Sequence, residues 1–386
     1  MDQVTRRGFV GRVGAGTAGA WAAPWAAAAS AAPEAATADR TVHLSGDGIG
    51  LTPRAYAALL ADLTARRDVG EDSYLLGGEV EAFERHWAAL LGKETAVFMP
   101  SGTLANHLAL RALAGAKRRV VVPETSHIYN DTGDACQTLS ALTLLPLAPG
   151  AATFTRGDVE AVLARTASGR VATDIGAIAV ESPVRRLAGQ MFDWDELQHV
   201  AALARDKGIG LHLDGARLFI ASAYTGRTPA AFAAPFDTVY VSLWKYFNCG
   251  QGAILAGPRR VLDGMFHTRR MFGGNLAVGW PAAVIARHYM DGYVERLRAA
   301  VDVSEAFYRA LAAHPRVRIE RIPHGTNLTR LHLTGVDQAA VRRRLAERGL
   351  RLPGASPEGV VTLGVNETWT RTTSAQLAAD FDYALG

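Results

Sequence analysis

Residues Val239–Gly257 read VYVSLWKYFNCGQGAILAG, two apolar runs with one lysine, Lys245, closing the first. The β-branched alternation of the first run and the Ala/Ile/Leu content of the second predict two strands. Lysine at the mouth of a buried strand is costly unless something uses its ammonium group. Alone, Lys245 also reads as a snorkelling residue, its stem on apolar surface and its charge in water. The order of the other strand ends along the chain decides between the two.

Working outward, TAVFMP (95–100), RRVVVPE (118–124), IGAIAVESP (175–183) and IGLHLDGA (209–216) read as further strands. Helical intervals separate them. Helices are expected at Arg54–Arg67, at Glu79–Leu91, and from Ser101 or Gly102 onward, where Leu104, Leu108 and Leu110–Leu113 recur at helical spacing. In FDWDELQHVAALARDKG (192–208), Asp193 is an N-cap with Glu196 three residues on, and Gly208 is the stop. Alternation of this kind predicts an α/β fold, a mostly parallel sheet covered by helices. Beyond Gly292 the pattern changes to a helix up to Ala313, strands in RVRIERI and NLTRLHLT, a helix at Val336–Arg348 and a strand in GVVTLGV. The expected organisation is a large domain over 39–290 and a smaller α+β domain over 291–386, preceded by a segment, 1–38, that is not part of the fold.

Ligands of open α/β sheets bind beyond the carboxyl ends of the strands. PSGT, ESP, HLDGA and LWK all fall there. Ser101-Gly102-Thr103 stands between a strand and a helix, so it offers free N–H groups and the positive end of a helix dipole to a phosphate, or simply caps the helix. His127 follows the strand 118–124 and could lie on a planar ring. His212 and Asp214 share one face of their strand. A carboxylate ending an apolar run needs a partner; Arg217, three residues on, is one, and a protonated pyridine nitrogen is another. Phosphate cradle, histidine, strand-end Asp and strand-end Lys, in that order, fit a phosphorylated pyridine aldehyde. The aldehyde condenses with a lysine amine, which must be partly deprotonated, as burial favours.

The segments FMPSGTLANHLAL, SHIYNDTGDA, HLDGARLFIA, SLWK and RRMFGGN resemble the low-specificity threonine aldolase and β-eliminating lyase group of fold-type-I pyridoxal-phosphate (PLP) enzymes. The likeness runs from about Leu44 to Met290. It implies that Lys245 binds the cofactor aldehyde, Asp214 faces the pyridine nitrogen and Arg217 lies near the ring hydroxyl. It further implies His127 over the ring and Gly102 and Thr103 on the phosphate, with a homodimer or homotetramer as the assembly. The activity implied is cleavage of a β-hydroxy-α-amino acid to glycine and an aldehyde, with Lys245 and His127 catalytic. Alternatives are β-elimination or amino transfer on an amino substrate, or a silent relative that only binds a ligand. No metal is expected.

Three places depart from the family pattern. Trp244 stands where a serine usually precedes the lysine, and YFNCGQG replaces a Gly-rich run after it. Asn275 and Ala277 stand near the positions of a third glycine and an arginine after GG. Val360, after GASPEG, falls near the place of the family's carboxylate-binding arginine. Loss of a bidentate arginine costs a carboxylate substrate a few kcal/mol unless another replaces it. Arg185, Arg186, Arg270 and Arg330 are the candidates.

With 386 residues and 49% hydrophobic content the chain can bury a large core, and a formal charge of +4 gives no reason to expect a nucleic-acid partner. The N-terminus carries Arg6-Arg7, a weakly apolar Ala/Gly tract broken by Arg12 and Pro24, and small residues at Ala29-Ser30-Ala31. This pattern predicts a twin-arginine export signal and a periplasmic or secreted protein with no stable membrane insertion. Cys136 and Cys249 are expected to be free thiols.

Overall fold

The computed structural model describes residues 40–386. The expected export signal and the whole of the segment 1–38 therefore lie outside the described residues. The first strand is short, β1 (Val42–His43). The main sheet is built from β2 (Thr95–Met99), β3 (Arg119–Pro123), β4 (Thr143–Leu147), β5 (Ile175–Glu181), β6 (Gly210–Asp214), β7 (Thr238–Ser242) and β8 (Ala253–Gly257). Its spatial order is β2-β8-β7-β6-β5-β3-β4, and β8 alone runs against the others. Every residue of β5, β7 and β8 is buried, as strands with helices on both faces require.

Two features differ from the sequence reading. β4, TLLPL, was not expected, because Pro146 interrupts its pattern. Proline is tolerated in a strand at a sheet edge, and β4 is the edge, paired only with β3. β8 is antiparallel because only residues 243–252 separate it from β7, too little chain for a parallel crossover. Lys245 thus sits on a reversing loop between neighbouring strands. The helix Gly102–Ala114 crosses one face of β5 to β8. Expected helix ends hold to within a residue or two. Asp193 caps its helix by accepting from Glu196 N at 2.8 Å, but Glu196 does not close a reciprocal box, since its carboxylate accepts the Arg156 N–H.

Toward the C-terminus, β9 (Val317–Arg321), β10 (Leu328–Leu333) and β12 (Val360–Gly364) form an antiparallel sheet in the order β12-β10-β9. β11 (Leu350–Arg351) pairs in parallel with β1, so the start of the described chain is stitched to its C-terminal half. The buried Asn366 fixes this strap. Its Nδ2 donates to the carbonyls of His43, Ser45 and Gly46 at 3.0–3.3 Å, and its Oδ1 accepts from Thr368 N at 3.0 Å. The strap continues as the loop 44–50, which lies on the lysine loop. Both cysteines are buried, free thiols. Among the described residues no helix is long and apolar enough to cross a membrane. Asn366→Ala would leave several buried backbone groups unpaired at once, and is expected to cost about 2–3 kcal/mol in urea unfolding.

Candidate active site

The lysine loop is held from below. Tyr246 and Phe247, directly after Lys245, are fully buried. The Phe247 ring lies 4.6 Å from Tyr246, 5.1 Å from Phe219, 5.3 Å from Tyr293 and 5.8 Å from Trp87, mostly edge to face. These two residues are the departure from the Gly-rich pattern, and they act as core plugs. Above, Asn248 in the left-handed region (φ 55) accepts the Ile49 N–H at 2.9 Å. Gly48 must be glycine there: a Cβ would stand 2.5 Å from Asn248 Oδ1 and 2.6 Å from the Lys245 carbonyl. Burial, and next the Arg217 guanidinium, lower the Lys245 pKa, while Asp214, Asp47 and Glu181 pull it back. The lowered value favours the free amine relative to a lysine in water.

Asp214 ends β6, the strand beside β7. It is 2% exposed and accepts from Asn106 Nδ2 at 2.7 Å and Ala216 N at 3.2 Å. Of the two partners that the sequence left open for Asp214, Arg217 is not taken. Arg217 instead binds Asp47 of the N-terminal loop, Nε to Oδ2 at 2.9 Å, and Asn327 Nδ2 donates to the other Asp47 oxygen at 3.3 Å. Behind Asp214 runs a one-way chain of hydrogen bonds. Asn106 donates to the carboxylate, so its Oδ1 must accept, and His212 Nε2 stands 2.8 Å from it. His212 Nδ1 then accepts from the Thr238 hydroxyl at 2.8 Å. Burial pushes His212 down to about 4, which keeps the imidazole neutral and the chain directional.

His127 opens the short helix His127–Asn130 after β3. Its N–H donates to Glu181 Oε2 at 2.6 Å, and Arg185 N donates to the other Glu181 oxygen at 2.9 Å. Glu181 ends β5 and is the register partner of Asp214. Burial, then the Asp214 charge, push its carboxyl up to about 7 against those two N–H bonds. The His127 ring reaches Asp131 at 3.5 Å, and Arg185 and Arg186 both pair with that carboxylate.

At the far end, Ser101 caps the helix Gly102–Ala114 by accepting from Leu104 N at 3.3 Å. Gly102 is required by packing: a Cβ would lie 1.9 Å from Tyr240 Oη. Tyr240 and Ser242 share one face of β7. The Ser242 hydroxyl is buried and makes no well-formed hydrogen bond, with the Tyr240 phenol beside it. An orphaned hydroxyl next to a helix N-terminus suits an oxyanion. The donor set therefore fits PLP, with the phosphate at Gly102, Thr103 and Ser242, the ring nitrogen at Asp214 and the aldehyde at Lys245. Among the described residues no group of three or more His, Cys, Asp or Glu is arranged to hold a metal.

The structure brings Lys245, Asp214, Arg217, His127, Gly102 and Thr103 to the same edge of the sheet. Sequence reasoning gave no part to Asn106, Glu181, Asp47 or Ser242. Asn106 closes the PSGTLAN motif five residues after the cap, and Glu181 is the first residue of ESP, so both carried a positional signal. Asp47 carried none, because its partner is 170 residues away.

A family model described as beta-eliminating lyase matches residues 53–334. The chain is 29% identical over 317 residues to Aldolase vrtJ of Penicillium aethiopicum, covering 79% of this chain and 77% of that protein. It is 28% identical over 223 residues to Alanine racemase TOXG of Cochliobolus carbonum, covering 57% and 56%. It spans from 50% to 77% of the length of the curated relatives it matches. A solved structure of a putative L-allo-threonine aldolase from Listeria monocytogenes superposes with a TM-score of 0.74 at 25% identity, covering 90% of this chain and 96% of that one.

Asn106→Leu would strip Asp214 of its shortest donor and leave His212 Nε2–H unpaired. It is expected to cost about 2–4 kcal/mol in denaturant unfolding and to weaken PLP uptake in a spectroscopic titration of the apoprotein.

Proposed function

The chain belongs to the beta-eliminating lyase family of PLP-dependent enzymes, and on that premise we propose that it cleaves a β-hydroxy-α-amino acid to glycine and an aldehyde. The observation that carries the reading is the meeting of Lys245, whose pKa burial lowers, with the Asp214–Asn106–His212 chain beyond adjacent strand ends. PLP supplies an electron sink for the pair left on Cα when the Cα–Cβ bond breaks. Asp214, fixed by Asn106 and Ala216, would hold a proton at the ring nitrogen. Lys245 would be the amine that holds the aldehyde carbon, and Arg217, held by Asp47, would stand toward the ring hydroxyl. An imidazole nitrogen of His127 takes the β-hydroxyl proton; its place is set by Glu181 through the His127 N–H.

For the substrate carboxylate, Arg185 and Arg186 are the candidates this reading favours. Arg330 is spent on Glu320 at 2.6 Å, and Arg270 lies over the Tyr74 ring at 5.2 Å. Arg185 and Arg186 share the single carboxylate of Asp131 and remain 48% and 43% exposed, so a positive charge is left over beside His127.

Borohydride treatment of the yellow protein should fix a phosphopyridoxyl group on Lys245, read by peptide mapping. A colourless protein that PLP does not modify sinks the reading. With threonine as substrate, glycine and acetaldehyde should appear in equal amounts, and Asp214→Asn should lower kcat by at least about 100-fold, within the range for loss of an electrostatic partner to the reacting group. Keto acid and ammonia as products would point to amino transfer or elimination instead.

Assembly as a homodimer or homotetramer is part of the same reading, to be checked by light scattering. So is export. Arg6 and Arg7 ahead of a weakly apolar tract support the twin-arginine route, which carries folded, cofactor-loaded proteins. Replacing both arginines by lysine should hold the full-length protein in the cytoplasm, whereas continued export and clipping would indicate the general secretory route.

A further inference from the structure

Beside Lys245 a cavity of about 350 Å³ opens between the N-terminal loop and the lysine loop, within the range of small-molecule sites, about 300–1,000 Å³. Three rings line it, the aromatic Tyr56 and Trp244 and the imidazole of His43, and glycines 46, 48, 50 and 250 supply much of the rest. Among the described residues no carboxylate and no arginine lines it. The space is kept open by missing side chains. A Cβ at Gly46 would meet nothing within 4 Å, and one at Gly250 would meet only Tyr56 at 3.7 Å.

Trp244 is the residue that breaks the family pattern next to the lysine. Its neighbours Leu243 and Tyr246 are fully buried, yet its own side chain is 54% exposed. Its ring centre lies 5.6 Å from Lys245 Nζ. An indole held at the rim of a cavity, within reach of the reacting lysine, offers a face for stacking. A methyl substituent would leave most of this space to water. An anionic substituent would find no cation but Lys245, which the cofactor engages, and a cationic one would find no carboxylate.

Resting on the aldolase reading above, we propose that this cavity receives the substituent on the substrate's β-carbon and that Trp244 makes it selective for a planar aromatic group, so that the preferred substrates are β-aryl-β-hydroxy-α-amino acids rather than threonine. Tyr56 forms the opposite wall, and the glycine backbone of the N-terminal loop lies against the ring edge. Trp244 is thus a specificity residue, distinct from the groups that hold the cofactor.

The test has two arms, both on the cofactor-loaded full chain. In the first, L-phenylalanine and L-alanine, which lack the β-hydroxyl and cannot undergo the cleavage, are titrated by the cofactor's absorbance and by tryptophan fluorescence. Phenylalanine should bind at least about tenfold tighter, as stacking and burial of one ring allow. Trp244→Ala, which removes the stacking face, and Gly250→Leu, which fills the space from the other side, should each cut that ratio at least about fivefold. Either variant suffices if the other fails to fold. Equal affinities in the wild type, or a ratio that neither variant changes, overturns the proposal. In the second arm, aldehyde release is compared for β-phenylserine and threonine. Aryl-selective binding with no aldehyde from either substrate leaves the pocket standing and removes the aldolase reading. Aldehyde release with no aryl preference in either arm keeps the aldolase reading and removes the pocket.

Discussion

A lysine keeps a lowered pKa only if its backbone cannot carry it out to water. Tyr246 and Phe247 enforce this here. Fully burying each aromatic side chain contributes roughly 1.5–3 kcal/mol; Phe247 is locked edge to face among Trp87, Phe219 and Tyr293, and Tyr246 lies tilted against Phe219 and Tyr293. The residue before them is thereby pinned at the mouth of β7. From the other side, the loop 44–50 closes on the Lys245 carbonyl, held by Asn248 and, further out, by the three carbonyls on Asn366. The same loop delivers Asp47 to Arg217. The position of the lysine, the low dielectric around it and the pairing of the nearest guanidinium are consequences of one anchored loop and one strap.

Charge balance explains why the adjoining strand ends look as they do. Glu181 and Asp214 are side by side at the ends of β5 and β6, and two buried carboxylates so placed resist being ionised together. Glu181 carries the raised pKa, although two backbone N–H groups donate to it. A positive ring nitrogen at Asp214 would relieve part of that repulsion. The carboxylate pair and the cationic form of the cofactor therefore favour each other. Glu181, meanwhile, does mechanical work through two backbone N–H groups, tying the His127 turn to the Arg185 turn.

Local pattern carried much of this architecture. Six strands of the main sheet, the capped helix after Pro100 and the switch of pattern past Gly292 were legible because apolar periodicity and caps act over a few residues. β4 was hidden because edge strands are permitted the proline that buried strands exclude. The reversal at β8 was legible in principle from the shortness of 243–252. The candidate site was half legible: residues at strand ends announce themselves, whereas their partners do not. Arg217 reads as a partner of Asp214 in sequence, three residues away. In space Asp214 already has Asn106 and a backbone N–H, so the guanidinium turns to Asp47. Gly102 invites a phosphate explanation, yet the contact that forbids a side chain there is with Tyr240 on β7, two strands away in the sheet. Such choices are made by long-range packing, which no local window contains.

The departures from the family pattern spare the cofactor positions. Lys245, Asp214, Arg217, His127, Gly102 and Thr103, which the resemblance assigns to the cofactor, keep their residue types. The changed positions, Trp244, Asn275 and Val360, lie on loops or, for Val360, at the start of an edge strand, β12. Serine to tryptophan next to the lysine adds a large apolar surface where the family offers a hydroxyl. Val360 leaves no cation at the place of the family's arginine, while Arg185 and Arg186 stand half-exposed beside His127. On the reading proposed above, a substrate whose carboxylate turned toward these guanidiniums would leave its β-substituent for the glycine-lined space under Trp244. The two arginines and the indole would then act on one substrate, the first on its carboxylate and the second on its side chain.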